Sequence, residues 1–304
     1  MMRRRELIAA SFALAAPAAG WAQPAASAVL RRPVPSSGEL LPLVGLGSWI
    51  SFNVGTDVAA RRASGDVIAA FFAAGGRLID SSPMYGSSQG VIGEALGRLG
   101  GQGPVFAADK VWISQGDKGP EQIEASRQLW RVPRFDLLQV HNLLSWQDHL
   151  ATLLAMKAAG RLRYVGITTS EGRRHRELEA IMRGPHKLDF VQLSLNLLDR
   201  EAEQTLLPLA LERGIAVIVN RPFRQGDLLR ALQRHPLPAW AAAEVGCDGW
   251  AQFALKYVIA HPAVTCAIPA TSSVAHVRQN LGAARGPLPD AALRRRMAAH
   301  VEAL

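Results

Sequence analysis

A chain of 304 residues with 49% hydrophobic and 19% charged residues carries enough apolar material for a full core, which excludes an intrinsically disordered protein. Its net charge of +9 suits nucleic acid, a membrane surface or a phosphorylated ligand, but aromatics make up only 6% and no Lys/Arg run is interleaved with them, which argues against nucleic acid. Two cysteines, Cys247 and Cys266, exclude a disulfide framework and a multi-cysteine zinc centre, and no metal is expected.

The chain opens with Arg3-Arg4-Arg5-Glu6-Leu7-Ile8, followed by a short apolar run and then small residues. A positive segment before an apolar one reads as a secretory signal peptide, too short to span a bilayer permanently. Arg4-Arg5 followed by Glu6, Leu7 and Ile8 resembles the twin-arginine export signal, which implies the export machinery as a partner and a periplasmic protein exported folded. The expected organisation is a signal peptide over 1–28, with cleavage after Ala22 or Ala28, a linker or N-terminal extension over 29–39, and one domain over 40–304. Residues 23–36 are rich in Pro, Ala and Ser and predict a loose linker.

From residue 40 onward, short apolar runs alternate with amphipathic segments. Strands are expected at Leu43–Ser48, Arg77–Ser81, Val105–Lys110, Leu137–His141, Tyr164–Thr168, Phe190–Leu195, Ala216–Asn220 and Thr265–Pro269. Their Val, Ile and Leu content suits strands buried on both faces. Helices are expected at Asp66–Ala74, Gly90–Leu99, Gln122–Trp130, Gln147–Ala159, Arg173–Met182, Glu201–Arg213 and Gly249–His261. Arg294-Arg295-Arg296 reads as the solvated face of a C-terminal helix. Eight strands with intervening helices fit a single-domain α/β fold, the parallel (β/α)8 TIM barrel, better than an open doubly wound sheet. Gly45-Leu46-Gly47 is only a fragment of the dinucleotide fingerprint, so a Rossmann reading is weak.

Chemistry in such a barrel sits at the C-terminal strand ends. There stand Asp80, Lys110, His141, Thr168, Thr169, Gln192, Asn220 and Arg221, with Tyr85 just past the second strand. A phenol titrates near 10 and is a poor acid at neutral pH; a neighbouring ammonium stabilises the phenolate. Lys110 can supply that ammonium, Asp80 can hold it, and His141 can orient a carbonyl oxygen. Singly, each has an ordinary structural explanation: a capping Asp, a packed loop Tyr, a snorkelling Lys, a buried His. A lysine without a carboxylate partner would instead suit Schiff-base chemistry, against which Asp80 argues.

The run Gly76-Arg77-Leu78-Ile79-Asp80-Ser81-Ser82-Pro83-Met84-Tyr85-Gly86, with Gly93-Glu94-Ala95-Leu96-Gly97, Ala108-Asp109-Lys110 and Leu138-Gln139-Val140-His141-Asn142, resembles the aldo/keto reductase superfamily from about Leu40 to Asn280. The resemblance implies an NAD(P)-dependent enzyme that reduces aldehydes or ketones, or oxidises the alcohols, by hydride transfer. It makes Tyr85 the general acid/base, Lys110 and Asp80 its tuning pair, and His141 the group that positions the carbonyl. It also implies a nicotinamide cofactor, usually NADPH, extended across the barrel mouth. A barrel that binds the cofactor with little or no turnover, as a redox-sensing or interaction subunit, is the alternative.

By the same resemblance Thr168, Thr169 and Gln192 hold the nicotinamide carboxamide. Thr169 stands where the family carries an amide, and Asn220 where many members carry an aromatic that stacks under the nicotinamide. Arg221 is placed for stacking or for the pyrophosphate. Thr271 and Ser272 are expected at the adenosine phosphate, near a helix N-terminus, and Asn280 at the adenine. Ala270 and His276 occupy positions where some members carry Lys and Arg, with Arg278 nearby. Trp49, Phe52, Trp112 and Trp146 are expected to wall an apolar substrate pocket. The chain stops at Leu304, soon after its last helical segment, which predicts an open pocket. Free NADPH is not expected outside the cytoplasm, so an exported reductase implies a tightly retained cofactor.

Overall fold

The computed structural model describes residues 28–101 and 103–304, so all but the last residue of the expected signal peptide lies outside the described residues. The described chain begins with a hairpin of β1 (Arg31–Pro33) and β2 (Leu40–Pro42), paired antiparallel with Arg32 opposite Leu41. Then follow β3 (Leu46–Gly47), α1 (Val58–Ala73), β4 (Leu78–Asp80), α2 (Ser88–Arg98), β5 (Phe106–Val111), α3 (Gly119–Trp130), β6 (Leu137–Val140) and α4 (Trp146–Ala158). The second half runs β7 (Tyr164–Thr168), α5 (His175–Arg183), β8 (Phe190–Ser194), α6 (Leu206–Arg213), β9 (Ala216–Asn220), α7 (Asp227–Leu232), α8 (Trp250–Ile259), β10 (Val264–Ala267), α9 (Val274–Gly282) and α10 (Ala291–Glu302).

Strands β3 to β10 pair in parallel in sequence order. Bridges from Val44 to Ala267 and from Gly47 to Ala270 bring the first strand against the last, so the sheet curls into the expected eight-stranded barrel. The seam explains Gly45-Leu46-Gly47: a Cβ on Gly45 would lie 2.9 Å from the Leu78 carbonyl oxygen, and one on Gly47 2.8 Å from that of Ile268. These glycines permit close approach of strands, and they do not form the phosphate-binding fingerprint of an open dinucleotide fold.

Residues 29–36, expected as loose linker, are instead part of the hairpin that seals the lower end of the barrel. Val34 and Leu41 are fully buried in one cluster with Leu78, Phe106, Tyr164 and Phe190. Burying such side chains contributes about 1.5–3 kcal/mol each. Glu39, between the hairpin strands, accepts from Tyr164 Oη at 2.9 Å and pairs with Arg163 at 2.5 Å and Arg77 at 3.3 Å. Arg32 donates to the His261 carbonyl oxygen at 2.9 Å and to that of Val264, the first residue of the final strand.

All eight barrel strands lie where the sequence places them, within about three residues at each end. Helix α1 starts eight residues earlier than expected, because the Asp57 carboxylate caps it by accepting from Ala60 N at 2.9 Å. The expected helix at Glu201–Arg213 splits into a 3-10 turn, Glu201–Glu203, and α6. Both cysteines are free and buried.

Candidate active site

The parallel register sets the site. Asp80 ends β4 opposite Ala108, and Lys110 lies two residues further along β5, so both side chains enter the same face. Lys110 is 1% exposed and Asp80 2%. The Lys110 ammonium donates to Asp80 Oδ1 at 2.5 Å and to the Ser81 carbonyl oxygen at 2.8 Å. The other carboxylate oxygen, Asp80 Oδ2, accepts from Gln192 Nε2 at 3.0 Å and Gln139 Nε2 at 3.3 Å. The buried pair is thus hydrogen-bonded on both sides, the condition under which such a pair survives desolvation. Burial pulls the Lys110 ammonium down, but Asp80 and Tyr85 together outweigh it, and its pKa ends above the ordinary lysine value. A lysine held cationic by a carboxylate does not suit Schiff-base nucleophilicity.

Tyr85 ends a 3-10 turn, Pro83–Tyr85, directly after β4. Pro83 presets the first position, and Ser82 Oγ caps the turn by accepting from Met84 N at 3.2 Å. The turn lays the phenol ring 5.1 Å from the Lys110 ammonium and 5.7 Å from the His141 ring, edge-on at 87°. Burial raises the Tyr85 pKa; the charge and hydrogen bond of Lys110 lower it, and Asp80 raises it again. The net direction is upward. Lys110 lowers the phenol's pKa, as expected of a neighbouring ammonium, and so limits the larger rise that burial causes. His141, just beyond β6, is held down to about 2 by burial and by the Lys110 charge, so its imidazole stays neutral.

Tyr85, His141 and Asp80 line one cavity of about 600 Å3, with Trp49, Thr168, Gln192, Asn220, Arg221, Thr271, His276 and Asn280 around it. Lys110 lies beneath it. Gln192 spends one amide proton on Asp80 and one carbonyl lone pair on Asn220 Nδ2, at 3.3 Å. One donor and one acceptor remain, the complement of a primary carboxamide. Thr168 Oγ1 accepts from Asn142 N at 2.9 Å and keeps its own proton for a further acceptor. These leftover groups, with the cavity reaching Thr271 and Asn280 at α9, fit a nicotinamide dinucleotide.

Other expected site residues stand elsewhere. Thr169 does not line the cavity; it acts through its backbone, whose carbonyl oxygen accepts from Asn220 Nδ2 at 2.9 Å, and its hydroxyl is buried without a partner. Ser272 is exposed off the cavity; Ser273, its neighbour, caps α9 by accepting from His276 N at 3.4 Å. Trp146 is an anchor and no pocket wall: its indole donates to Glu177 at 3.0 Å and packs edge-on against His186. Phe52 is wholly buried in the core. Trp112 stands half exposed outside the cavity lining, 6.4 Å from the His141 ring. Asn220, by contrast, does line the cavity, where it is also a strut that accepts from Ser194 Oγ at 2.6 Å.

Glu171 escaped the sequence reading. It pairs with Arg221 at 2.9 Å and Arg173 at 2.6 Å, so Arg221 is ion-paired in place. Ser82, Asn142 and Ser170 escaped as well. Ser82 and Asn142 carried a signal, their positions inside the runs from Asp80 to Tyr85 and from Leu138 to Asn142; Ser170 carried none. Among the described residues no cluster of His, Cys, Asp and Glu could hold a metal, and no helix is long and apolar enough to cross a membrane.

The sequence pattern of the aldo/keto reductase family matches residues 43–299. Methylglyoxal reductase YeaE of Escherichia coli (strain K12) is 30% identical over 251 residues, covering 80% of this chain and 86% of the relative. An NADH-specific methylglyoxal reductase of the same organism is 27% identical, covering 69% and 72%. Among solved structures, an aldo/keto reductase from Klebsiella pneumoniae in complex with NADP and acetate superposes with a TM-score of 0.74 at 24% identity, covering 87% of this chain and 93% of that one.

Proposed function

Because the chain belongs to the aldo/keto reductase family, we propose that Tyr85 is the proton donor of its NAD(P)H-dependent carbonyl reduction, with Lys110 and Asp80 governing that proton and His141 holding the carbonyl oxygen. The observation that carries this reading is the Lys110 ammonium, clamped by Asp80 and the Ser81 carbonyl oxygen, lying 5.1 Å from the Tyr85 ring in the floor of the cavity that His141 also lines. A reduced nicotinamide held in this cavity would supply the hydride for the carbonyl carbon. Tyr85 gives its proton to the oxygen as negative charge builds there, and Lys110, already positive, stabilises the phenolate left behind. Neutral His141 donates a hydrogen bond to the same oxygen and exchanges no proton. In the reverse direction the phenolate takes the proton of an alcohol.

Thr168 and Gln192 would hold the carboxamide, and Thr271, His276 and Asn280 the adenosine end. NADPH is the preferred cofactor in this reading. A relative is solved with NADP, and His276 and Arg278 stand exposed on α9 to meet a 2′-phosphate. Aldehydes and ketones are the substrates, and methylglyoxal, named for two relatives, is the first to assay. Fluorescence titration of cofactor-free protein should give NADPH an affinity about tenfold above NADH, or ~1.4 kcal/mol. Equal affinities would remove the NADPH preference.

The twin-arginine-like start, Arg4 to Ile8, supports a periplasmic protein exported with its cofactor inside. Protein recovered from the periplasm should then carry near-stoichiometric nucleotide by mass spectrometry. Recovery of empty protein there, or of the whole pool in the cytoplasm, would overturn this placement.

A further inference from the structure

The Ser82 hydroxyl has a double connection that the acid–base set does not use. Ser82 is fully buried, and its Oγ lies 2.8 Å from His141 Nδ1 and 3.2 Å from Met84 N. A hydroxyl has one proton and two lone pairs. Met84 N–H occupies one lone pair. The remaining hydroxyl proton, in a dry setting, needs an acceptor, and His141 Nδ1 is the one within reach. Were Nδ1 protonated, Ser82 Oγ would receive two N–H donors while its own proton pointed at nothing.

We propose that Ser82 is a positioning residue: its hydroxyl donates to His141 Nδ1, holds the imidazole in the Nε2–H tautomer, and so presents a hydrogen-bond donor to the carbonyl oxygen in the cavity. The proposal rests on reading this cavity as the carbonyl site. A neutral imidazole has two tautomers, and the other would aim a lone pair at the carbonyl oxygen and repel it. The ring stays neutral because burial and Lys110 suppress its protonation, so the tautomer alone decides between donor and acceptor. The same oxygen caps the turn that ends in Tyr85. One side chain therefore registers the proton donor and the hydrogen-bond donor against each other.

The test is long-range 1H–15N NMR on histidine-labelled, cofactor-free protein at pH 7, with kinetics alongside. In the unsubstituted protein the His141 Nδ1 signal should fall in the unprotonated range and Nε2 in the protonated range. Ser82→Ala should move both towards a tautomer mixture and lower kcat about tenfold, less than the roughly hundredfold cost of deleting an oxyanion donor outright. Its affinity for NADPH and the alkaline limb of its pH profile should not move. Ser82→Thr, which keeps the hydroxyl, should restore the signals and kcat to within about twofold. A His141 Nδ1–H tautomer in the unsubstituted protein overturns the proposal even if no variant folds. So does a Ser82→Ala protein that loses activity with unshifted His141 signals, since capping the turn would then be the whole role. Nε2–H signals in a protein that reduces no carbonyl would support the tautomer lock and sink the reductase reading.

Discussion

Tyr85→Phe is expected to lower kcat/KM for carbonyl reduction by about a hundred- to ten-thousand-fold, the range for removing a positioned general acid. The fold should be unaffected. The phenol hydroxyl leaves a cavity open to solvent, the ring keeps its edge-on packing against His141, and cofactor affinity by titration should stay within about twofold. The pH profile supplies a second check. Reduction needs the phenol protonated, and burial holds the Tyr85 pKa above its ordinary value of 10.0. The rate should therefore stay level through neutral and mildly alkaline pH and fall only beyond the ordinary tyrosine value. His141, held down to about 2, should contribute no limb near pH 6–7. Full activity in Tyr85→Phe would end the acid assignment.

Lys110→Met should cost both stability and catalysis. It removes the cation that Asp80 Oδ1 holds at 2.5 Å in a site where both side chains are at most 2% exposed. The orphaned carboxylate keeps only the amides of Gln192 and Gln139. Leaving one member of a buried pair uncompensated costs about 3–5 kcal/mol, or a fall in Tm of roughly 10 °C for a domain of this size, readable by calorimetry. Adding Asp80→Asn to Lys110→Met should recover part of that loss, because a neutral amide carries no buried charge. It should recover no activity, because the phenolate still lacks its ammonium. A Lys110→Met protein of unchanged Tm would mean that the orphaned Asp80 carboxylate costs the fold nothing.

The barrel was legible because its strands are buried on both faces and so read as plain apolar runs: Ala216–Asn220 and Tyr164–Thr168 lie where the runs place them. The candidate set was legible for a related reason. In a parallel barrel the strand ends meet at one rim, so Asp80, Lys110 and His141 at successive ends must converge. The β1–β2 hairpin was not legible. Its strands are three residues each, and Pro33 and Pro35 disguise Val34, which is wholly buried. Residues on loops were the least legible. Trp146 and Trp112 stand in equivalent-looking loop sequences, yet one anchors α4 to α5 while the other sits beside His141. Glu171 depends on the loop after β7 meeting the loop after β9, and no local pattern encodes that meeting.

The hairpin also decides which way the protein faces when it is attached to something. It closes the floor of the barrel, under Tyr164 and Phe190, while Tyr85 and His141 open at the ceiling. A resin, sensor chip or fusion partner joined upstream of Ala28 would hold the molecule by its base and leave the mouth pointing outward to the bulk solution. Coupling through surface groups around α9 would instead crowd the adenosine end.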